Sequence, residues 1–275
     1  MNAFICFIGA GNMAQSLIGG LIASGYDKQN IIATDPTAEQ RDLVTQTFGI
    51  QCFADNSEAI NKADIVVLAV KPQIFENVSK TIQTSIKQKK PLVISVAAGI
   101  RTNDINSWLG GNNSIVRTMP NTPALIQTGA SGLYANDAVS EEQRSQAEHI
   151  MRAAGITVWV KEESQLDVVT ALSGSGPAYY FMFMEAMEKT ATELGLDAQT
   201  AHLLTIQTAL GAAKMALESH QDCQTLRQNV TSPNGTTERA IQSFEKSGLP
   251  NMVEKAMKAA QTRAQELADE LGDKA

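Results

Sequence analysis

A glycine turn near the start of the chain, between an apolar run and a helix-like segment, constrains the fold most strongly. The stretch FICFIGAGNMA places Gly9 and Gly11 directly after the apolar residues Phe4–Ile8 and ends on Ala14. Gly9 permits a tight turn, Gly11 lets the backbone approach a pyrophosphate, and a small residue at position 14 keeps helix and strand close. Free N–H groups and the positive end of the helix dipole attract an anion there. The pattern predicts a dinucleotide site, although plain strand–helix joints share it.

The chain alternates strands and helices in its first part and is helical afterwards. Continuous apolar runs such as Ile65–Val70 indicate strands buried on both faces, as a parallel sheet requires. We therefore predict a Rossmann-type, doubly wound α/β domain over residues 1–161 and an all-helical domain over residues 162–275. The predicted strands are Phe4–Ile8, Ile31–Thr34, Ile50–Phe53, Ile65–Val70, Leu92–Val96, Ile115–Thr118 and Ile156–Val160.

Composition excludes several classes of function. The net charge of −7 argues against general binding of nucleic acids or anionic membranes. The three cysteines are far apart and odd in number, which indicates neither a disulfide framework nor a metal site. No basic leader precedes Phe4, and no apolar run approaches the roughly 18 residues that span a bilayer. We expect a cytoplasmic protein that acts on a small molecule.

The first long helix after the sheet predicts contact between subunits. It begins near Pro177, ends before Gly195, and carries apolar residues on nearly every side. A helix of this kind must be covered all round, which the few helices of one small domain can hardly do. We therefore predict a subunit interface along it, and we assign its aromatic residues to packing.

Several polar or small residues follow the predicted strands, where ligands of open parallel sheets bind. Asp35 can accept hydrogen bonds from the adenosine ribose and repel a 2′-phosphate, or it can simply form an Asp-Pro turn. Asn56 can bond adenine or ribose, or cap the next helix. Lys71 can meet phosphate or ribose, though an exposed lysine is commonplace. The small run Ala97–Gly99 allows the nicotinamide–ribose half to lie on the backbone.

Two polar, glycine-rich interruptions in the helical part predict anion sites. One is Ser173–Pro177, and the other is Val230–Thr237. A small carboxylate can rest on backbone N–H groups near Gly235 to Thr237, at the start of the next helix. Ordinary capping explains one hydroxyl residue there, but it explains poorly four of them beside a glycine.

The sequence offers no strong catalytic acid or nucleophile. It contains no His-Asp pair at a plausible spacing and no serine-centred elbow, and the three histidines sit apart in helical segments. Hydride transfer to an activated acceptor can proceed through positioning and one polar contact. The pattern is therefore compatible with a dinucleotide-dependent reductase.

Seven stretches in order resemble the pyrroline-5-carboxylate reductase family from end to end. They include FIGAGNMA, LAVKP, SVAAGI, RTMPNTPA, TALSGSGPAYYF, LGAAKMALE and VTSPNGTTERAI. The resemblance implies reduction of 1-pyrroline-5-carboxylate to L-proline with NADPH or NADH, the last step of proline synthesis. It also implies homodimers built through the helical domain, often assembled further into a decamer.

The resemblance also implies roles for individual residues. Thr237 would contact the ring nitrogen of the imine and is the one catalytic candidate. Cofactor binding falls on Ile8, Gly9, Ala10, Gly11, Asn12, Met13, Asn56, Ala69, Val70, Lys71, Pro72, Ala97, Ala98 and Gly99, to which Asp35 is added from its position. Substrate binding falls on Glu163, Ser175, Thr231, Ser232, Gly235, Thr236 and Thr237, with part of that loop supplied by the partner subunit.

Two positions depart from the family pattern. The family usually reads SPGGTT, whereas Asn234 stands here at the first glycine, and asparagine tolerates the left-handed conformation better than most residues. Asp35 occupies a place where an enzyme that prefers the phosphorylated cofactor more comfortably has Ser, Thr or a basic residue. We therefore expect NADH to compete with NADPH.

Two other functions remain open at this stage. A hydroxyacid dehydrogenase of similar plan usually carries a catalytic lysine on the buried helix, where only Lys189 is available, near its far end. A non-catalytic dinucleotide sensor is the second alternative, but a sensor has no need of the hydroxyl-rich loop before Thr237.

Overall fold

The computed structural model describes residues 3–272, so residues 1, 2 and 273–275 of the two predicted domains lie outside it. Within the described chain, one sheet has the strand order β3-β2-β1-β4-β5-β6-β7-β8. Its strands are β1 (Ile5–Ile8), β2 (Ile31–Thr34), β3 (Gln51–Phe53), β4 (Ile65–Leu68), β5 (Leu92–Ser95), β6 (Ile115–Met119), β7 (Gly129–Ala135) and β8 (Gly155–Trp159).

Helices connect the strands and form the remainder of the described chain. In the sheet region they are α1 (Asn12–Ala23), α2 (Ala38–Phe48), α3 (Asn56–Ile60), α4 (Pro72–Lys89), α5 (Thr102–Trp108) and α6 (Glu141–Arg152). After the sheet come α7 (Gln165–Val169), α8 (Gly176–Glu193), α9 (Ala198–Glu218), α10 (Cys223–Asn229), α11 (Thr236–Lys246) and α12 (Leu249–Leu271).

The predicted doubly wound sheet is confirmed, with one strand that the prediction missed. Pairing is parallel from β3 through β6, and it is antiparallel between β6 and β7. The prediction missed β7 because its sequence, GASGLYA, interrupts the apolar pattern with small residues. Packing explains one of them, since a Cβ on Gly132 would lie 2.8 Å from Val169 Cγ1. β8 then pairs in parallel with β7.

Strands at the centre of the sheet are buried on both faces, as predicted. Every residue of β1, β4 and β5 is buried. Side chains that alternate along these strands pack into two apolar clusters, so that Phe7 belongs to one cluster and Cys6 to the other. Cys6 is fully buried, and this burial raises the pKa of its thiol to about 12. It is a core residue, as the sequence indicated.

Contacts divide the chain into two compact units. The sheet unit contains the residues up to Ser175 and those from Ala259 onward, and the helical unit contains Gly176–Lys258. Helix α12 therefore contributes its first part to the helical unit and its last part to the sheet unit. The domain boundary after residue 161 stays a prediction.

The helical unit exposes a large amount of apolar surface in the single chain. On α8, Tyr180, Phe181 and Met182 are 69%, 65% and 73% exposed. On α9, Leu203 and Leu210 are 66% and 60% exposed. Monomeric proteins rarely leave contiguous apolar surface of this kind in water. The observation supports the predicted subunit interface.

No helix within residues 3–272 is both long and apolar enough to cross a membrane.

Close packing between α1 and the end of α6 gives a prediction about stability. A Cβ on Gly20 would lie 2.0 Å from the carbonyl oxygen of Ala153, whereas one on Gly19 would meet only the ring edge of Phe48 at 3.2 Å. We expect Gly20→Ala to lower the free energy of unfolding by about 1–3 kcal/mol through overpacking. Gly19→Ala is the matched control and should cost less, because an aromatic side chain can shift. Urea unfolding measures both, and equal losses would contradict the packing argument.

Candidate active site

The carboxyl ends of the central strands meet at one edge of the sheet. The registers pair Ile8 with Thr34 and with Leu68, and they pair Leu68 with Ser95. Residues that follow these positions therefore lie side by side. At this edge lie predicted cofactor-binding residues: the glycine turn, Asp35, the Ala69–Pro72 segment and the Ala97–Gly99 turn.

The glycine turn is shaped to receive an anion. Gly9 has φ +93°, and a Cβ there would lie 2.7 Å from the carbonyl oxygen of Ala69. Gly11 is the N-cap of α1, and a Cβ on it would meet no atom of the described chain within 4 Å. No side chain among residues 3–272 caps α1. The amides of its first turn are thus left for a ligand, and the residues present fit a dinucleotide pyrophosphate.

Asp35 is held against the glycine turn. Its Oδ2 accepts a hydrogen bond from the Ala10 amide at 3.3 Å, and its Oδ1 accepts one from the Thr37 amide at 3.0 Å. Arg41 Nη1 donates to the carbonyl oxygens of Asp35 and Pro36, at 2.8 and 2.9 Å. A carboxylate and a guanidinium therefore stand together where the adenosine ribose of a dinucleotide is recognised.

Two glutamine side chains support the same turn, and sequence reasoning missed them. Gln15 and Gln40 both donate to the Ala10 carbonyl oxygen. They come from α1 and α2, and this joins the turn to both helices. Glutamine is common on helix surfaces, so nothing in the sequence marked either residue.

Asn56 lies at the carboxyl side of β3 and contacts the end of β2. Its Oδ1 accepts a hydrogen bond from Thr34 Oγ1 at 2.6 Å. The alternative role as a helix cap is wrong, because Asp55 caps α3 through the amides of Ser57 and Glu58. Asn56 is thereby fixed beside the strand end that carries Asp35.

Lys71 and Pro72 begin α4 at the same edge. Lys71 is the exposed N-cap residue, and no side chain within the described range bonds the start of this helix. Pro72 occupies the first helical position, where its missing N–H costs nothing. The start of α4 therefore offers a second helix N-terminus to a ligand at this edge.

Glu163, a predicted substrate residue, is engaged by groups of the sheet unit. Its Oε1 accepts hydrogen bonds from the Thr102 amide at 2.7 Å and from Arg117 Nη1 at 3.1 Å. Its Oε2 accepts one from Thr102 Oγ1 at 2.8 Å. The Arg117 side chain is only 4% exposed and also lies 3.7 Å from Asp167 Oδ1. Sequence reasoning missed Arg117, although an arginine inside the apolar strand IVRTM was a usable signal.

The carboxyl of Asp167 lies in the same network of charges, and its pKa is shifted. Burial raises the pKa of its carboxyl from the ordinary value of 3.8, and Arg117 and Arg101 lower it by less. The physical reason is that Arg117 is shared, since its closer partner is Glu163. The charged form of Asp167 is therefore under-compensated in the folded chain.

Ser175 follows a turn of π-helix over Thr170–Gly174, a feature often found at functional sites. Its amide donates to the Thr170 carbonyl oxygen at 2.8 Å. Asn121 Nδ2 donates to the Ser173 carbonyl oxygen, and Asn121 Oδ1 accepts from the Ala130 amide. Asn121 thus ties the end of β6 to β7 and to the segment that carries Ser175.

The hydroxyl-rich loop before α11 forms a turn that opens a helix. The Gly235 amide donates to the Ser232 carbonyl oxygen, and Asn234 has φ +61°, which confirms that it adopts the left-handed conformation. Gly235 is the N-cap of α11, with no side-chain cap within residues 3–272. The amides of Thr236 and Thr237 therefore begin this helix at its positive end.

Other hydroxyl groups in that loop differ in availability. Thr231 Oγ1 donates to the Arg227 carbonyl oxygen at 2.6 Å, so its proton is already used. Ser232 is exposed and Thr237 is partly buried. This loop belongs to the helical unit, whereas Glu163 and Ser175 belong to the sheet unit.

The histidines lie outside these groups. His149 lies beside the Tyr26 ring, with centroids 6.2 Å apart and the ring planes tilted by 43°, and His202 Nδ1 lies 2.9 Å from Glu188 Oε1. His149, His202 and His220 are all exposed. The prediction of structural or solvent-facing roles is consistent with these positions.

A glycine turn at the edge of a doubly wound sheet, followed by a helical unit, characterises dinucleotide-dependent oxidoreductases. Residues 4–99 match the family model "NADP oxidoreductase coenzyme F420-dependent", and residues 163–267 match the model "Pyrroline-5-carboxylate reductase dimerisation". Pyrroline-5-carboxylate reductase of Pseudomonas aeruginosa is 52% identical over 268 residues, 98% of each chain. The chain belongs to the pyrroline-5-carboxylate reductase family, which confirms the resemblance seen in the sequence.

Solved structures agree with this assignment. A pyrroline-5-carboxylate reductase from Coxiella burnetii is 47% identical, with a TM-score of 0.95 over 98% of this chain and 99% of that one. A pyrroline carboxylate reductase from Plasmodium falciparum with NADP bound is 29% identical, with a TM-score of 0.85 over 97% and 98% of the two chains.

The raised pKa of Asp167 gives a prediction about pH. Between pH 3.8 and its folded pKa, the folded chain keeps a proton that the unfolded chain has released, so stability falls as pH rises through that window. The amide in the variant Asp167→Asn carries no charge at any pH in this range. We therefore expect the free energy of unfolding of the variant, relative to the wild type, to rise with pH and then level off. Denaturation from pH 3 to pH 7 measures the difference, and a fall with pH would contradict the argument.

Proposed function

We propose that this chain reduces 1-pyrroline-5-carboxylate to L-proline with NADPH or NADH. The observation that carries the proposal is the pair of helix N-termini that begin with glycine caps, Gly11 on α1 and Gly235 on α11, and that lack side-chain caps in the described chain. The first suits the pyrophosphate of a dinucleotide, and the second suits the carboxylate of a small substrate. Family membership supplies the identity of that substrate.

Cofactor binding is assigned to the sheet edge. The amides at Gly11 to Met13 would hold the pyrophosphate, and the open space beside Gly11 lets the backbone approach it. Asp35 and Asn56 would face the adenosine end, because both are fixed at the carboxyl ends of β2 and β3. The remaining predicted cofactor residues, Ile8, Gly9, Ala10, Ala69, Val70, Lys71, Pro72, Ala97, Ala98 and Gly99, line the same edge.

Substrate binding is assigned to the start of α11. When bound, the reduced nicotinamide supplies the hydride that adds to C5 of the cyclic imine. The amides of Thr236 and Thr237 would hold the substrate carboxylate, with Gly235, Ser232 and Thr231 shaping the turn. The Thr237 hydroxyl would bond the ring nitrogen, which gains a proton as the C5=N bond becomes single. Water or a proton carried by the substrate supplies that proton, and Ser175 and Glu163 complete the predicted set.

Subunit pairing through the helical unit forms part of the proposal. The exposed apolar residues of α8 and α9 lie within the region that matches the dimerisation model. A homodimer would cover them and would let one subunit contribute its Thr231–Thr237 loop to the site of its partner. Assembly of dimers into a decamer stays a prediction, and sedimentation velocity of the purified protein gives the number of copies.

A steady-state assay tests the reaction directly. The purified protein is mixed with NADPH or NADH and 1-pyrroline-5-carboxylate, and cofactor absorbance and proline are both followed. Oxidation of one cofactor for each proline formed supports the proposal. Turnover of a hydroxyacid instead would favour a dehydrogenase, and binding of cofactor without reduction of the imine would favour a sensor.

Thr237 should matter for turnover more than for cofactor binding. Thr237→Ala removes a hydrogen bond to the ring nitrogen, whose charge and bonding change as hydride adds to C5, so we expect kcat to fall about tenfold to a hundredfold. Thr237→Ser keeps the hydroxyl and should recover most of the rate. The dissociation constant of the cofactor should stay within about twofold for both variants. An unchanged kcat for Thr237→Ala would remove Thr237 from the reaction.

Asp35 should set the choice between the two cofactors. Its carboxylate would repel the 2′-phosphate of NADPH, while Arg41 stands beside it. We expect Asp35→Ser to shift the ratio of kcat/KM values about tenfold toward NADPH. Glu39→Gln is the matched control, because it also removes one negative charge from the exposed start of α2. Equal shifts in both variants would show that general charge, and not ribose contact, sets the preference.

A further inference from the structure

Hydrogen bonds fix the position of the Ala97–Gly99 turn where the chain leaves β5. Ser95, the last residue of β5, is fully buried, and its Oγ accepts a hydrogen bond from the Ala97 amide at 3.3 Å. The carbonyl oxygen of Ser95 accepts a second bond, from Thr118 Oγ1 on β6 at 2.9 Å. The start of the turn is therefore fixed to two strands.

Glu163 fastens the other end of the turn. The chain passes from Gly99, with φ +74°, through buried Ile100 to Thr102 at the start of α5. Both the amide and the hydroxyl of Thr102 donate to the Glu163 carboxylate, at 2.7 and 2.8 Å. A carboxylate at a helix N-terminus is also favoured by the helix dipole. Glu163 thus holds the residue that ends the turn.

Arg117 connects the two fastened ends. It pairs in register with Ser95 across β5 and β6, and it donates to Glu163 Oε1 at 3.1 Å. Its side chain is 4% exposed and that of Glu163 is 19% exposed, so the pair lies largely out of water. Charges placed there are stable only when they are paired, and each partner therefore fixes the position of the other.

The last part of α12 covers the turn from one side. A Cβ on Gly99 would lie 3.4 Å from Leu271 Cδ1 and 3.6 Å from Leu267 Cβ. Arg101, which directly precedes Thr102, pairs with Asp269 at 2.6 Å. Packing and an ion pair thus restrict the movement of the turn in addition to the hydrogen bonds at its ends.

We propose that Thr102 and Arg117 are positioning residues that act through Glu163 to fix the Ala97–Gly99 turn and so set the affinity for the dinucleotide. This inference rests on the proposed function, because it takes that turn as part of the cofactor site. In this proposal Glu163 supports cofactor binding by holding Thr102. This role is separate from the substrate contact that the family resemblance implies. Neither Thr102 nor Arg117 touches the reacting atoms in this scheme.

The test removes one hydroxyl from the network. Thr102→Val keeps the shape and the backbone bond but takes away the donor to Glu163 Oε2, whereas Thr102→Ser keeps that donor. Cofactor dissociation constants are measured by titration of NADPH and NADH fluorescence with no imine present. We expect about a three- to tenfold weaker affinity for Thr102→Val and a change below about twofold for Thr102→Ser. At saturating cofactor, the KM for the imine should change by less than about twofold in both.

A second pair of variants separates positioning from general loss of stability. Arg117→Lys keeps the charge but loses the planar fork, and it should weaken cofactor binding in the same direction. Ile150→Val shortens a fully buried side chain on α6, in a different apolar cluster from Ala97 and Ile100, and should leave cofactor affinity unchanged while lowering the melting temperature. Equal loss of affinity in Ile150→Val and Thr102→Val would overturn the proposal.

Two other results are decisive. If Thr102→Val left cofactor affinity unchanged but raised the KM for the imine, the network would serve the substrate and the proposal would be wrong. If the wild-type protein bound neither NADPH nor NADH, the proposed function itself would fail. If the protein bound the cofactor but did not reduce the imine, only the proposed reaction would be contradicted. The fluorescence titration would still test the positioning network.

Discussion

The pairing of β1 with β2 on one side and with β4 on the other is the constraint on which the rest of the structure depends. This pairing places the ends of three strands at one edge, and it leaves room for the chain to turn only if position 9 has no side chain. A Cβ on residue 9 would lie 2.7 Å from the carbonyl oxygen of Ala69. The tight turn at Gly9 and the position of β4 therefore depend on each other. Together they place the strand ends at the edge where ligands of open parallel sheets bind.

An acidic chain that binds anions must attract them locally, and the helix starts show how. Helices α6, α9 and α10 begin with Ser140, Asp197 and Asp222, whose side chains bond the first amides. Helices α1 and α11 begin with glycines and have no such cap within residues 3–272. In α1 and α11 the N-cap residue therefore bonds none of the first amides, and the positive ends of these helices can attract an anion locally although the net charge of the chain is −7.

Local patterns predicted those parts of the fold and site that depend on short stretches of chain. The glycine turn, the buried central strands and the left-handed Asn234 could be predicted because each conformation is set by a few neighbouring residues. Strand β7 could not, because the apolar pattern is interrupted at Gly132 for a reason that lies in a distant segment, the close packing against Val169. The bonds from Thr102 and Arg117 to Glu163 join residues 46 to 61 positions apart, and no periodic pattern records such a pairing.

For helix α8, the sequence predicts a feature that the structure of the single chain does not show. Its apolar residues were predicted to be covered, yet Tyr180, Phe181 and Met182 are largely exposed in the single chain. Each buried Å² of apolar surface contributes about 25 cal/mol, so a face with several such side chains favours association strongly. The apolar pattern of α8 therefore fits a chain that associates through its helical unit, which agrees with the match to the dimerisation model. The loop before α11, which we propose to bind the substrate, belongs to the same helical unit and to the region that matches the dimerisation model.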